Sequence, residues 1–263
     1  LGLAGCVPLL IADLPVMGFS DAVFESVSGL TTTGATVLVG LDTLPHSILY
    51  YRQQLQWLGG MGIIVLSLAI LPMLGVGGMQ LFKAEVPGPT ADRLKPRIQD
   101  TAKLLWGVYV LLTGAEVILL MVGGMGFFDG INHAFTTMAT GGFSTRNASV
   151  AAYDSAFIDW VITLCMFLAG VNFSLHYLAL RGKLGDFIRN EEFLFFSGLA
   201  MLGTFLIALL NMGGTYADFF DNLRYSAFQV VSILTTTGFG TADYELWPVL
   251  CQYLLVFAMF IGG

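Results

Sequence analysis

Long stretches without a charged side chain constrain the fold of this chain more than any other feature. Residues 53–82, 160–180 and 193–217 contain no Asp, Glu, Lys or Arg, and residues 104–128 contain only Glu116. A helix needs about 20 consecutive apolar residues to cross a bilayer. The whole chain is 56% hydrophobic and 11% charged, whereas soluble domains have about 25% charged residues. The sequence therefore predicts an all-α, multi-pass membrane protein in contact with membrane lipid.

Both ends of the sequence are apolar. We expect residues 1–15 to be the end of one span and residues 246–263 the beginning of another. The sequence also lacks an initiator Met and a positively charged leader. These features predict that it is a piece of a longer protein.

The basic residues indicate the orientation of the spans. Five lie in 83–103 and three in 181–189, so two connections hold eight of the eleven Lys and Arg residues. Such connections are usually cytoplasmic. The opposite connections carry acidic residues, namely Asp42, Asp129, Asp154, Asp159, Asp218, Asp221, Asp243 and Glu245. They either concentrate cations at an outer mouth or simply solvate the loops. The net charge of -7 argues against a nucleic-acid partner.

A Thr-Gly motif occurs three times, on the predicted outer side. The segments read TTTGATV, ATGGFST and TTTGFGT. Each follows an apolar stretch (21–33, 128–140 and 223–237) that is too short to cross the bilayer, and such stretches are often re-entrant. The repetition predicts three helix–re-entrant loop–helix units.

We align the three units on Gly34, Gly141 and Gly238, which are 107 and 97 residues apart. Non-helical backbone at membrane depth is tolerated where it is buried in protein or lines a water-filled cavity. Glycine permits positive φ, so carbonyl oxygens can turn to one side, and the preceding short helices would direct their partly negative ends there. Rings of carbonyl oxygens replace the hydration shell of a cation. The predicted site consists of Thr32, Thr33, Gly34, Ala139, Thr140, Gly141, Thr236, Thr237 and Gly238. These residues predict a cation filter, with K⁺ as the natural ion.

Polar residues also recur nine positions before the aligned glycines, at Glu25, Asn132 and Gln229. We expect them to form a shared hydrogen bond behind the filter rather than to bind the ion. Glu116 has two possible roles. It is a functional carboxylate of the bundle interior, or a neighbouring hydroxyl or amide satisfies it.

The loops resemble those of the Trk/Ktr/HKT superfamily of potassium transporters, and most closely its bacterial TrkH-type members. The segments HAFTTMATGGFST, QWLGGMGIIVLSLAILPMLG and FLAGVNFSLHY carry the resemblance beside the three loops, and it covers essentially the whole chain. It implies repeated units around a pseudo-fourfold ion pore, of which the fourth is absent here. It also implies potassium uptake across the bacterial cytoplasmic (inner) membrane. The implied partners are a second copy of the full-length protein and a cytoplasmic nucleotide-binding regulatory ring.

On this basis the chain divides into five parts. The first repeat, with a truncated first helix, is 1–80, the second repeat is 104–180, and the third repeat, with a truncated second helix, is 192–263. Cytoplasmic linkers at 81–103 and 181–191 connect them.

Other functions remain open at this stage. The chain could be the potassium-binding subunit of an ATP-driven pump of the same superfamily, or a non-conducting membrane subunit. An intramembrane enzyme is disfavoured, because the sequence contains no HExxH and no suitable Ser–His pair or pair of membrane Asp residues. We therefore predict no catalytic residue and no cofactor, with K⁺ at the filter residues as the only metal ion.

Overall fold

The computed structural model describes residues 1–12, 17–70, 94–182, 185–212, 216 and 218–262. In this part of the chain the regular structure is helical, as predicted. The helices are α1 Gly2–Gly5, α2 Val7–Ile11, α3 Phe19–Leu30, α4 His46–Ile70, α5 Leu94–Val122, α6 Phe127–Met138, α7 Ala156–Ala169, α8 Phe173–Leu180, α9 Gly185–Arg189, α10 Glu191–Asn211, α11 Phe219–Leu234 and α12 Val249–Gly262. Short 3-10 turns occur at Leu41–Thr43, Ser149–Tyr153 and Tyr244–Leu246.

Two helices of the described residues are long and apolar enough to cross a membrane on their own. They are the segment Ala102–Val122 of α5 and the whole of α10, each 21 residues long. The pair α7 and α8 forms a third candidate that is bent by 102°. We predicted one continuous span at 160–180, but the helix stops at Gly170 and restarts after Asn172, whose side chain accepts a hydrogen bond from the Ser174 amide at 3.0 Å. A new N-cap therefore interrupts the apolar stretch.

The last residues of the predicted first linker, 81–103, are helical. Helix α5 begins at Leu94, while the part of it that is apolar enough to cross a membrane begins at Ala102. Pro96 is the third residue of this helix, within the first turn, where proline is tolerated. Residues 81–93 lie outside the described residues.

Three short helices precede the Thr-Gly motifs. Helices α3 and α6 have 12 residues each and α11 has 16, which is shorter than a bilayer-crossing helix. Each packs against the long helices: α3 against α4, α6 against α4 and α5, and α11 against α7, α10 and α12. The central apolar cluster includes Leu120, Ile158, Ile162, Met166, Phe228 and Phe239. The three loops therefore emerge from inside the helical bundle.

The outward faces of α10 and α12 carry large apolar side chains. Phe195 and Phe205 of α10 are 71% and 63% exposed, and Phe257 and Phe260 of α12 are 65% and 83% exposed. Clustered apolar exposure of this size is expected of a surface that contacts lipid. The chain is a membrane protein with its polar loops directed inward.

Candidate functional site

The three Thr-Gly loops, residues 31–40, 139–148 and 235–243, have the same backbone conformation at their start. The second residue of each loop is a threonine with positive φ: 55° at Thr32, 51° at Thr140 and 58° at Thr236. The fourth is a glycine with positive φ: 76° at Gly34, 72° at Gly142 and 82° at Gly238. Positive φ is uncommon in any residue with a Cβ atom, so its threefold recurrence at threonine identifies equivalent positions.

Hydrogen bonds confirm this equivalence. The third residue of each loop donates its amide hydrogen to a carbonyl five residues earlier, at the end of the short helix. The N···O distances are 3.0 Å for Thr33 to Ser28, 2.8 Å for Gly141 to Thr136, and 2.9 Å for Thr237 to Ser232. The hydroxyl of the threonine with positive φ donates to the carbonyl of the preceding residue, at 2.7 Å for Thr32, 2.8 Å for Thr140 and 2.6 Å for Thr236.

The alignment of the second loop predicted from sequence is therefore wrong by one residue. The equivalent of Gly34 and Gly238 is Gly142, not Gly141, and the predicted site residue Ala139 ends its helix at the position of Thr31 and Thr235. Gly141 does not have positive φ. The error arose because Gly141 and Gly142 are consecutive, so either could be aligned with a single Thr-Gly motif. The Gly-Phe pair shared by 142–143 and 238–239 indicates the correct register.

Neighbouring loops touch through their glycines. A Cβ atom on Gly34 would overlap the carbonyl oxygen of Gly141, and a Cβ atom on Gly142 would overlap the carbonyl oxygen of Thr237. Both contacts join the fourth residue of one loop to the third residue of the next. A Cβ atom on Gly238 would meet no atom of the described residues within 4 Å. The loops are thus arranged side by side in chain order, with the same contact repeated.

A polar side chain of each short helix lies behind its loop. The Thr36 hydroxyl donates to Glu25 at 2.9 Å, a ring nitrogen of His133 bonds the Ser144 hydroxyl at 3.0 Å, and Gln229 donates to the Ala242 carbonyl at 3.1 Å. The predicted shared position therefore exists, but His133 occupies it in the second repeat. Asn132, which we predicted there, donates to the Phe128 carbonyl of its own helix at 2.7 Å. This is the same one-residue error.

Helix α4 adds a buried ion pair to the first loop. Arg52 Nε lies 2.6 Å from Glu25 Oε1, and the two side chains are 1% and 0% exposed. Arg52 also donates to the Thr36 hydroxyl at 3.0 Å, and its guanidinium lies 4.2 Å from the ring centroid of Phe143 in the second loop. Sequence analysis did not single out Arg52, although it is the only basic residue between Leu1 and Phe82.

One turn further along α4, Gln56 contacts the second loop directly. Its side-chain nitrogen donates to the Gly141 carbonyl at 2.7 Å, and its side-chain oxygen accepts from the Phe143 amide at 3.1 Å. Gln56 is fully buried. Sequence reasoning missed this residue, because a glutamine within an apolar stretch has no partner that local sequence reveals.

A partly exposed charge cluster lies beside the second loop. Arg146 Nη2 lies 3.0 Å from Asp129 Oδ2, and Arg146 Nη1 lies 3.7 Å from Asp42 Oδ1. The Asn147 side chain donates to Asp42 at 2.7 Å. Partial burial alone would raise the pKa of Asp129, but hydrogen bonds from Thr145 and Arg146 and the Arg146 charge hold that pKa below its ordinary value. Arg146 is thus paired beside the loops.

The family model described as "TrkH: Cation transport protein" matches residues 2–207, which is more than half of the chain. The chain belongs to the TrkH family. The chain is similar to the "Trk system potassium uptake protein TrkH" of Salmonella typhimurium, with 49% identity over 100% of this chain and 55% of the relative. It is 39% identical to the "Trk system potassium uptake protein TrkG" of Escherichia coli over 97% of this chain and 53% of the relative.

A solved structure shares the fold. The crystal structure of the potassium transporter TrkH from Vibrio parahaemolyticus superposes with a TM-score of 0.86 and 44% sequence identity, covering 100% of this chain and 54% of that one. This TrkH-family chain therefore has the fold of a helical membrane transporter. It spans about 55% of the length of the relatives that it matches.

Glu116 is a buried carboxylate inside the helical bundle. Its side chain is fully buried in α5. The hydroxyl of Thr137, a residue of α6 beside it, donates to the His133 carbonyl at 2.7 Å.

Proposed function

We propose that the full-length protein takes up K⁺ across the bacterial cytoplasmic membrane through a filter built from the Thr-Gly loops. The observation that carries this proposal is the repeated contact between loops of identical backbone conformation, in which Gly34 meets Gly141 and Gly142 meets Thr237. Non-helical backbone inside a membrane bundle is stable where it lines a water-filled path. The names of the relatives, potassium uptake proteins, support K⁺ as the transported ion.

The electrostatics of the loops favour a cation. Helices α3, α6 and α11 all end at the loops, so the partly negative ends of their dipoles lie beside the proposed ion path. The nearby basic side chains Arg52 and Arg146 are each paired with carboxylates. The proposed filter comprises Thr32, Thr33, Gly34, Thr140, Gly141, Gly142, Thr236, Thr237 and Gly238, with Gly142 taking the place of Ala139 by register.

We further propose that the three repeats belong to a four-unit pore, with the approximate limits given above apart from the earlier start of α5. A fourth equivalent loop of the full-length protein would lie beside Gly238, where the described residues leave space. The greater length of the relatives supports this arrangement.

Regulation and assembly are proposals of the same kind. We propose a homodimer of the full-length protein, and a cytoplasmic nucleotide-binding ring that docks on the basic connection at 83–103. Deletion of 83–93, which precedes α5 and contains two of the five basic residues, is expected to weaken co-purification of the ring. Undiminished co-purification would contradict docking at this connection.

Flux through the full-length protein in liposomes tests the proposed function. We expect K⁺ and Rb⁺ to enter much faster than Na⁺ without added ATP. Entry that needs an added ATPase would favour the pump-subunit alternative. Complete absence of flux in a well-folded protein would favour a non-conducting subunit.

A further inference from the structure

Gln56 makes two hydrogen bonds to the second loop that bracket a single glycine. Its side-chain nitrogen bonds the Gly141 carbonyl at 2.7 Å and its side-chain oxygen bonds the Phe143 amide at 3.1 Å. A glutamine amide has two donor hydrogens on nitrogen and an acceptor oxygen, so the two loop groups fix which way it faces. The peptide planes on both sides of Gly142 are therefore held by one side chain.

We call these two hydrogen bonds of Gln56 the clamp. The clamp determines the direction of the Gly142 carbonyl. In a trans peptide the C=O of one residue and the N–H of the next point in opposite directions, and the described residues contain no cis peptide. The Phe143 N–H points at Gln56, so the Gly142 C=O points away from Gln56. Gly142 has φ of 72°, a conformation that glycine adopts without the penalty of a Cβ atom.

The surroundings leave the clamp little freedom. Gln56 is 0% exposed, and a Cβ atom added to Gly141 would lie 2.5 Å from its Cδ atom. The side-chain amide therefore lies against the backbone of Gly141. The ring of Phe143, the residue whose amide Gln56 binds, is covered by Arg52 from the preceding turn of α4.

The helix that follows the third loop does not repeat the clamp. Gly59 and Gly262 occupy matching places in the helices that follow the first and third loops, because a Cβ atom on either would overlap a short-helix carbonyl, of Leu30 and Leu234 respectively. Gln56 precedes Gly59 by three residues, and Met259 precedes Gly262 by three. A methionine cannot form this pair of bonds, so the clamp is not a general feature of the repeat.

We propose that Gln56 is a positioning residue for ion selection, which holds the Gly142 carbonyl of the second loop toward the ion path. This inference rests on the proposed function. Loss of the clamp lets the two peptide planes around Gly142 rotate, and selection for K⁺ depends on the number and placement of carbonyl dipoles. The expected result is reduced discrimination between K⁺ and Na⁺ with flux retained.

The test compares Gln56→Met with Gln53→Met in the full-length protein. Both glutamines lie on α4 and are fully buried, but Gln53 has no side-chain hydrogen bond among the described residues. We expect Gln56→Met to lower the K⁺/Na⁺ flux ratio by about tenfold, since it removes two buried hydrogen bonds. Gln53→Met should leave the ratio unchanged. Gln56→Asn keeps the amide but is one methylene shorter, so it should also lower the ratio.

The outcomes separate the clamp from the filter itself. A folded Gln56→Met protein with the wild-type ratio overturns the role of Gln56 while leaving the proposed function intact. If Gln56→Met does not fold, the ratio of Gln56→Asn decides in the same way. If Gln53→Met lowers the K⁺/Na⁺ flux ratio as much as Gln56→Met does, the positioning role of Gln56 is also overturned. The effect would then follow from replacing any buried glutamine of α4. A wild-type protein without preference for K⁺ overturns both proposals.

Discussion

The two junctions between neighbouring loops have the same glycine contact but different chemistry around it. At the first junction, Arg52 and Gln56 of α4 reach Gly141 and Phe143 of the second loop with buried charged and amide groups. At the second junction, which joins the second and third loops, the Ala151 amide donates to the Gly240 carbonyl at 3.1 Å and the Gly240 amide to the Ser149 hydroxyl at 3.2 Å.

Apolar packing completes the second junction. Phe239 is 1% exposed and belongs to the apolar cluster that includes Leu120, Ile158 and Phe228. Phe143, at the same place in the second loop, is equally buried but lies under the Arg52 guanidinium. The same backbone conformation is thus stabilised by a buried charge and a buried amide at the first junction. At the second junction it is stabilised by a backbone hydrogen bond, the Ser149 hydroxyl and apolar burial. The repeat therefore specifies the loop conformation, while each junction is stabilised separately.

The largest effect is expected from Arg52→Met at the first junction. This change leaves the buried carboxylate of Glu25 without its cation and should lower the free energy of unfolding by about 3–5 kcal/mol. Adding Glu25→Gln should recover most of the loss, because the amide oxygen can still accept from the Val37 amide that Glu25 now binds. Denaturant unfolding of the full-length protein in detergent measures both. A double variant as unstable as the single one would contradict this account.

Replacing a glycine that has positive φ should give the next largest loss in the free energy of unfolding. Gly142→Ala combines strained φ with overlap on the Thr237 carbonyl, and overpacking costs about 1–3 kcal/mol beyond the strain. Gly40→Ala is the control, since Gly40 also has a φ of 72° but an added Cβ atom would meet its nearest neighbour only at 3.5 Å. The free energy of unfolding of this variant should fall by only about 1–2 kcal/mol.

Gly238→Ala extends this series to the third loop. If a fourth loop lies beside Gly238 in the full-length protein, this variant should be as unstable as Gly142→Ala. A loss no greater than that of Gly40→Ala would count against a closed ring of equivalent loops.

A coupling between Gly141 and Gln56 is expected to be smaller. Gly141→Ala places a Cβ atom against the Gln56 amide, so its cost should fall when Gln56→Ala removes that amide. A double-mutant cycle should give an interaction energy of about 0.5–3 kcal/mol. The same cycle with Gly40→Ala should be nearly additive, because the nearest contact of Gly40 is the Thr43 side chain and not Gln56. Equal coupling in both cycles would contradict a direct contact between Gly141 and Gln56.

The smallest effect concerns the acid sensitivity of the Arg146–Asp129 pair beside the first junction. The pKa of Asp129 is lowered in the folded state, so its contribution is present above its ordinary pKa of about 4 and is lost as the pH falls through the folded value. Arg146 is 41% exposed, and solvent-exposed pairs contribute less than about 1 kcal/mol. Asp129→Asn should therefore flatten the stability profile slightly at acidic pH, measured by thermal unfolding. An unchanged profile would show that the pair is fully screened.

The correct and incorrect sequence predictions differ in a consistent way. The spans in α5 and α10 and the short helices α3, α6 and α11 were predictable, because they depend on apolar length and on glycine, which are local properties of the chain. The register of the second loop was predicted wrongly, because Gly141 and Gly142 are consecutive and either could match a single Thr-Gly motif. The break before α8 was also missed, since a cap at Asn172 competes with an otherwise continuous apolar stretch.

The sequence by itself determined that this is a helical membrane protein with three related loops at the ends of short helices. Bilayer thickness and backbone hydrogen bonding leave few other folds for such a chain. Only the tertiary structure decided which residues of those loops are equivalent and how they are held. Gln56 meets Gly141 across 85 positions of sequence, and Arg52 pairs with Glu25 from another helix. Contacts of this kind arise from how helices pack, and no local pattern of residues encodes them.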